Sequence, residues 1–137
     1  MTFRVHPIGR VSSTLKNRKD APRQPDEEGA PSATLVFDRT YMEALDGLKR
    51  GDEVIVVTWL HRGARDVKRV RPRRDPNRPE VGVFATRSPD RPNPIGLHQV
   101  VIESIDGPYV RVRAIEAIDG TPILDVKPVL CPDVDGR

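Results

Sequence analysis

Leu97-His98-Gln99-Val100-Val101-Ile102-Glu103-Ser104-Ile105-Asp106-Gly107-Pro108-Tyr109-Val110-Arg111-Val112-Arg113-Ala114-Ile115 is the stretch whose reading decides the fold. Two apolar runs meet at Asp106-Gly107, a dipeptide that accepts the positive φ angles of a tight hairpin turn. In the second arm, Tyr109 to Ile118, Val110, Val112 and Ala114 alternate with Arg111 and Arg113. That period of two belongs to a strand with one buried and one wet face. The phase slips at Ile115, which predicts a bulge. A lone hairpin is marginal in water, so this one needs further strands beside it.

Those strands can be found on both sides. A second Asp-Gly, Asp119-Gly120, turns the chain into Ile123 to Val126 before Pro128. Upstream, Glu53 to Leu60 is apolar and β-branched after its first residue and reads as the most buried strand, ending at His61-Arg62. Val81 to Ala85, Val67 to Arg71 and Ala33 to Phe37 are shorter candidates. Phe3 to Val11 reads as an edge or bulged strand, because Pro7 cannot donate to a ladder. Thr40-Tyr41-Met42-Glu43 matches a capping box and predicts one short helix, closed by Gly47 or Gly51. The expected fold is all-β: a small, mostly antiparallel β-barrel of about seven strands with one short helix, residues 1–137 forming a single domain.

Composition agrees with that size and class. A chain of 137 residues, 36% hydrophobic and 31% charged, can bury one modest core. Fourteen prolines and ten glycines favour short strands joined by many turns. No apolar run approaches the roughly 20 residues that span a bilayer, and Met1 to His6 lacks the pattern of a signal peptide. One cysteine, Cys131, excludes an internal disulfide framework, and with three scattered histidines it makes no metal site. A reduced, cytoplasmic setting is expected. Aromatic residues, at 4%, are too few for a broad base-stacking platform.

Charge is uneven. Arg62 to Arg91 holds ten basic and four acidic residues, net +6, while the whole chain is +3. A basic band of this kind suits a phosphate-rich partner; a solvated loop with a few ion pairs would give the same count. Ser12 to Ser32 is a polar segment longer than the usual connection. At its middle Pro22-Arg23-Gln24-Pro25 stiffens a guanidinium and an amide, which suits a binding loop. In Arg87-Ser88-Pro89-Asp90-Arg91-Pro92-Asn93-Pro94, three prolines lock the backbone around Arg87, Arg91 and Asn93. Two guanidinium forks and an amide suit a carboxylate, a phosphate or a base edge. There is no phosphate-binding P-loop, no Gly-x-Ser-x-Gly and no His-Glu-x-x-His. His61, at the end of a buried strand, either orients a ligand or is a satisfied rim histidine. His98 and His6 are read as structural.

Phe84-Ala85-Thr86-Arg87-Ser88-Pro89-Asp90-Arg91-Pro92-Asn93-Pro94-Ile95-Gly96 and Asp119-Gly120-Thr121-Pro122-Ile123-Leu124-Asp125-Val126-Lys127-Pro128 resemble the TsaA-like family. The likeness extends to Ile8-Gly9 with Ser12-Ser13, to Pro22-Arg23-Gln24-Pro25 and to Trp59-Leu60-His61, in the family's order. The resemblance implies a β-barrel methyltransferase that uses S-adenosylmethionine on the exocyclic amine of threonylcarbamoyl-adenosine in tRNA, working as a homodimer. It assigns cofactor binding to Pro22, Arg23, Gln24, His61, Arg62, Arg87, Asp119, Gly120 and Thr121. Arg23 or Arg87 would clamp the cofactor's carboxylate, and Gln24 or a backbone amide would read its adenine. Asp119 is the candidate catalytic residue, taking a proton from the amine or holding it in line; a turn residue satisfying backbone donors is the alternative. Arg73, Arg74, Arg91 and Asn93 are assigned to substrate binding. Where relatives carry a Pro-Pro-Arg-Leu-Gly-Gly-like loop, this chain has Arg71 to Pro79 with extra arginines. They are expected to steer phosphates or to serve another substrate. A non-catalytic RNA-binding barrel and a methyltransferase for a small metabolite remain as alternatives.

Overall fold

A computed structural model of the chain describes residues 1–14, 32–72 and 75–130. Among these residues there are eight strands: β1 Gly9–Ser12, β2 Ala33–Phe37, β3 Glu53–Trp59, β4 Arg69–Val70, β5 Val81–Gly82, β6 Ile95–Asp106, β7 Tyr109–Arg113 and β8 Pro122–Pro128. Six of them follow the order β1-β2-β7-β6-β3-β8, and β8 returns to β1 to close an antiparallel barrel. The closing seam is short, with Gly9 opposite Ile123 and Arg10 opposite Pro122. By contrast, β3 and β6 pair along the whole of Glu53–Trp59.

The expectation of about seven barrel strands and one short helix is corrected. The ring has six strands, and β4 and β5 stand apart as a two-stranded ribbon. In place of a short α-helix the described residues include the 3-10 segments Arg39–Leu45 and Val83–Ala85. The first buries no residue fully, Leu45 packing half-buried against the core, so little apolar contact supports a longer α-helix. Its cap is Asp38 rather than Thr40: the Asp38 carboxylate accepts the Thr40 N–H at 2.9 Å, a bond that lowers its pKa.

Two element boundaries also move. The first strand begins at Gly9, and Phe3 and Val5 stay exposed at 80% and 66%. Gly9 is required there, since a Cβ would lie 2.5 Å from the Val36 carbonyl oxygen. The strand after the hairpin ends at Arg113 because Ala114 takes a left-handed φ of 57°. The register slip falls on the facing strand, between Ile102 and Ser104, rather than at Ile115. Finally, β3 is not buried throughout: Val54, Val56 and Thr58 point inward while Ile55, Val57 and Trp59 are half-buried outside.

The core follows from alternation along each strand. Val11, Leu35, Phe37, Val54, Val56, Val100, Ile102, Val110, Val112 and Ile123 all face inward, joined by Ile115 after the strand break. Each such side chain stabilises the fold by about 1.5–3 kcal/mol relative to exposure. With side chains filling the interior, any ligand site must lie at an end or on an outer face.

Candidate functional site

Register places one set of loops at one end. Trp59 pairs with Ile95, Thr58 with Ile123, Arg10 with Pro122, Ser12 with Thr34 and Ala33 with Val112. The carboxyl ends of β1, β3 and β7 therefore share a rim with the amino ends of β2, β6 and β8. His61 and Arg62 leave β3 at this rim, and Asp119, Gly120 and Thr121 enter β8 there. Thr14 and Ser32, the described flanks of the segment that carries Pro22, Arg23 and Gln24, stand at the same end; those three residues lie outside the described residues. So do Arg73, Arg74 and Cys131.

The turn before β8 is clipped to β1. Val11 N–H donates to the Thr121 carbonyl at 2.9 Å, and Gly120 N–H donates to the Val11 carbonyl at 2.8 Å. The Ser13 N–H donates to Asp119 Oδ1 at 2.9 Å. Gly120 carries the positive φ of 84° that the turn demands. Thr121 is buried, and its hydroxyl donates to the Ile118 carbonyl at 2.6 Å. The threonine hydroxyl and the Gly120 and Thr121 N–H groups are thus already used within the fold.

The proline-rich loop is folded around Arg91. Its Nη1 donates to the Thr86 and Ser88 carbonyls at 2.9 and 3.0 Å, and its Nη2 to the Val83 carbonyl at 3.0 Å. Residues 83–88 thus curl about one guanidinium, and Arg87 is left exposed between two tethered neighbours. A second set of ties joins this loop to the one after β3. Arg65 donates to the Pro92 carbonyl at 2.8 Å and to Asn93 Oδ1 at 3.2 Å, and its guanidinium lies 5.2 Å from the Trp59 ring centre. Asp90 accepts the Ala64 N–H at 2.9 Å. Gly63 lets the two loops touch, since a Cβ there would lie 2.3 Å from the Pro89 carbonyl oxygen. Arg91 and Asn93, assigned to substrate from sequence, are placed as supports within the loops. No sequence signal singles out Arg65, and Asp90 is marked only by its place after Pro89.

Beneath the rim, His98 Nε2 and Thr58 Oγ1 share a hydrogen bond of 2.8 Å. A Cβ on Gly96 would lie 2.7 Å from that Oγ1 and 2.9 Å from that Nε2. His98 Nδ1 is buried without a hydrogen-bond partner. Burial, and next the positive charge of Arg87, push the His98 imidazole down to about 4, so it is neutral at physiological pH. Arg87 is therefore a cation within electrostatic reach of the rim's floor, and it has no carboxylate partner among the described residues. No group of three or more metal-ligating side chains converges among the described residues. Among the described residues no helix is long and apolar enough to cross a membrane. The opposite end holds a cavity of about 420 Å³ lined by residues including Tyr41, Leu45, Leu48 and Val126, with none of the sequence-assigned residues.

Comparison with known proteins bears on this rim. Residues 10–135 match the model of the tRNA-methyltransferase O N-terminal domain. A probable S-adenosyl-L-methionine-binding protein of Methanothermobacter thermautotrophicus is 42% identical over 129 residues, covering 93% of this chain and 90% of its own. An S-adenosyl-L-methionine-binding protein of Archaeoglobus fulgidus is 40% identical over 131 residues, 96% and 91% of the two chains. The crystal structure of TrmO from Pseudomonas aeruginosa aligns with a TM-score of 0.78 at 33% identity, covering 100% of this chain and 60% of that one. The chain thus spans about three-fifths of that solved protein's length.

Proposed function

Because the chain belongs to the tRNA-methyltransferase O family, we propose that it is an S-adenosylmethionine-dependent methyltransferase acting on tRNA in the cytoplasm. Its acceptor is the exocyclic amine of threonylcarbamoyl-adenosine beside the anticodon. One observation carries the reading: His61, Arg62, Arg87 and the Asp119-Gly120-Thr121 turn, far apart in sequence, come to a single rim. The residues present fit the cofactor. Arg87, exposed and without a carboxylate partner among the described residues, matches its carboxylate, and the open Gly120 turn offers backbone groups to its polar edges. Bound there, the cofactor supplies a methyl group that is already activated, so the chain's task is chiefly alignment and exclusion of water.

Within that task the residues divide. Arg87 anchors and Arg91 holds the backbone on either side of it. Asp119 keeps the turn tied to β1 through Ser13 and presents a carboxylate beside the incoming amine, where it orients the nitrogen or accepts its proton. A homodimer fits the opposite wall: Ile95 and Leu97, each 45% exposed, stand beside half-buried Val57 and Trp59 on the outer face of β3 and β6, and Phe84 is 83% exposed nearby in sequence. That apolar face suits a second copy.

The test is transfer. Purified protein, methyl-labelled cofactor and bulk tRNA from cells lacking the gene are incubated, and the nucleosides are separated. Label in a hypermodified adenosine is the expected result. Label retained by the cofactor, with binding intact, would leave a cofactor-binding protein without this activity.

A further inference from the structure

The outer face of β1, β2 and β7 carries a charge pattern that the rim does not use. Alternation points Arg10 on β1, Thr34 and Val36 on β2, and Tyr109, Arg111 and Arg113 on β7 away from the core. Register joins them: Arg10 lies opposite Val36, Val36 opposite Tyr109, and Thr34 opposite Arg111. Neighbouring strands lie about 4.8 Å apart and side chains on one face recur about every 7 Å. The three arginines therefore occupy one patch roughly 10 Å across the strands. None of their side chains has a carboxylate partner or a hydrogen bond among the described residues. No acidic residue occurs within these three strands. The nearest acids are on β6: Asp106, opposite Tyr109, and Glu103, which accepts the Ser32 hydroxyl at 2.8 Å.

Placement gives the patch a direction. Arg10 pairs with Pro122, next to the Asp119-Gly120-Thr121 turn, and Arg113 ends β7 at the rim. The patch thus begins at the candidate site and runs down the outer wall. In the ring order it lies across from β3, whose loop carries the Arg62 to Arg91 band. Pairing of two copies through the apolar β3–β6 face would leave it uncovered.

Resting on the RNA acceptor proposed above, we infer that the β1–β2–β7 face is a second phosphate-binding surface for that RNA. The arginines neutralise backbone phosphates and Tyr109 adds a ring against which a sugar or base can pack. The two cationic walls flank the rim, so an RNA loop entering the site is held on both sides.

The experiment measures tRNA binding by anisotropy across a salt series for wild type and for Arg111→Gln/Arg113→Gln. These side chains are exposed and have no side-chain partner among the described residues, so folding should be unaffected, and unchanged calorimetric binding of S-adenosylmethionine verifies it. Loss of two phosphate contacts lowers the slope of log K against log salt by about 1.4–1.8, and weakens binding about 10- to 30-fold near 0.15 M salt. Arg39→Gln/Arg50→Gln, which removes the same charge at the other end of the barrel, should change the slope far less. Wild-type affinity and slope in the Arg111/Arg113 variant, or equal weakening in the control, would overturn the surface and leave the acceptor assignment standing. A wild-type protein that binds cofactor but no tRNA would overturn both. Binding to phosphatidylserine vesicles instead of tRNA, lost in the Arg111/Arg113 variant, would reassign the face to lipid and overturn the proposal.

Discussion

Replacing Arg91 by methionine isolates the device that shapes the candidate site. The thioether keeps much of the arginine's stem volume and removes the fork that holds the Val83, Thr86 and Ser88 carbonyls at 2.9–3.0 Å. Hydrogen bonds from a charged donor are worth about 1.5–3 kcal/mol each. The three share one partly exposed group and are not additive, so the expected loss is about 2–4 kcal/mol. With a urea m-value of about 1–3 kcal/mol/M for a small protein, the unfolding midpoint falls by roughly 1–2 M. Affinity for S-adenosylmethionine falls as well, because the two carbonyls flanking Arg87 are freed. Arg91→Lys restores the charge but not the fork and recovers little of either. The assays are urea denaturation followed by circular dichroism, and calorimetric titration of the cofactor. A midpoint within about 0.3 M of wild type, with cofactor affinity unchanged, would refute the idea that this guanidinium organises the loop.

Other outcomes can be read from single positions. Gly96→Ala drives a methyl group against the Thr58–His98 pair and Leu60; overpacking of about 1–3 kcal/mol, with further loss if the pair parts, lowers the thermal midpoint. His98 titrates near 4 in the fold against 6.5 for a free imidazole. The unfolded chain thus takes up the proton first, and the histidine's contribution is complete above pH 6.5. It is lost as pH falls through 4, by about 3 kcal/mol. Denaturation from pH 7 to 4 should show that slope, and His98→Gln should flatten it. Asp119→Asn retains the acceptor for the Ser13 N–H, so stability and cofactor affinity should hold while methyl transfer drops about 100-fold. Unchanged turnover would remove Asp119 from the chemistry.

Much of the sheet is legible in the sequence because it is local. Asp106-Gly107 and the Val/Arg alternation of 109–113 specify the hairpin and its buried face, and the inward positions of β2 follow from the same rule. The ends of strands are less legible, being decided by contacts from elsewhere. β1 starts only where Gly9 can approach Val36, and β7 stops where Ala114 turns left-handed. The helix misreading has a similar origin: Thr40 and Glu43 have the right spacing for a capping box, but Asp38 takes the cap and no side chain of the segment is fully buried. The rim was visible only through family resemblance, since no local pattern says that β1, β3 and β8 bring their loops together. Arg91 shows the deepest limit. A guanidinium in a proline-rich loop looks like a ligand fork until the backbone curls and three carbonyls meet it.

Most directly at stake is the claim that the cofactor sits at the rim built by the β1, β3, β6 and β8 loops. Amide resonances of isotope-labelled protein, followed during titration with S-adenosylmethionine, test it. The largest shifts are predicted at His61 to Gly63, Arg87 and Asp119 to Thr121. Shifts gathered instead around Tyr41, Leu45 and Leu48, at the opposite end of the barrel, would contradict it.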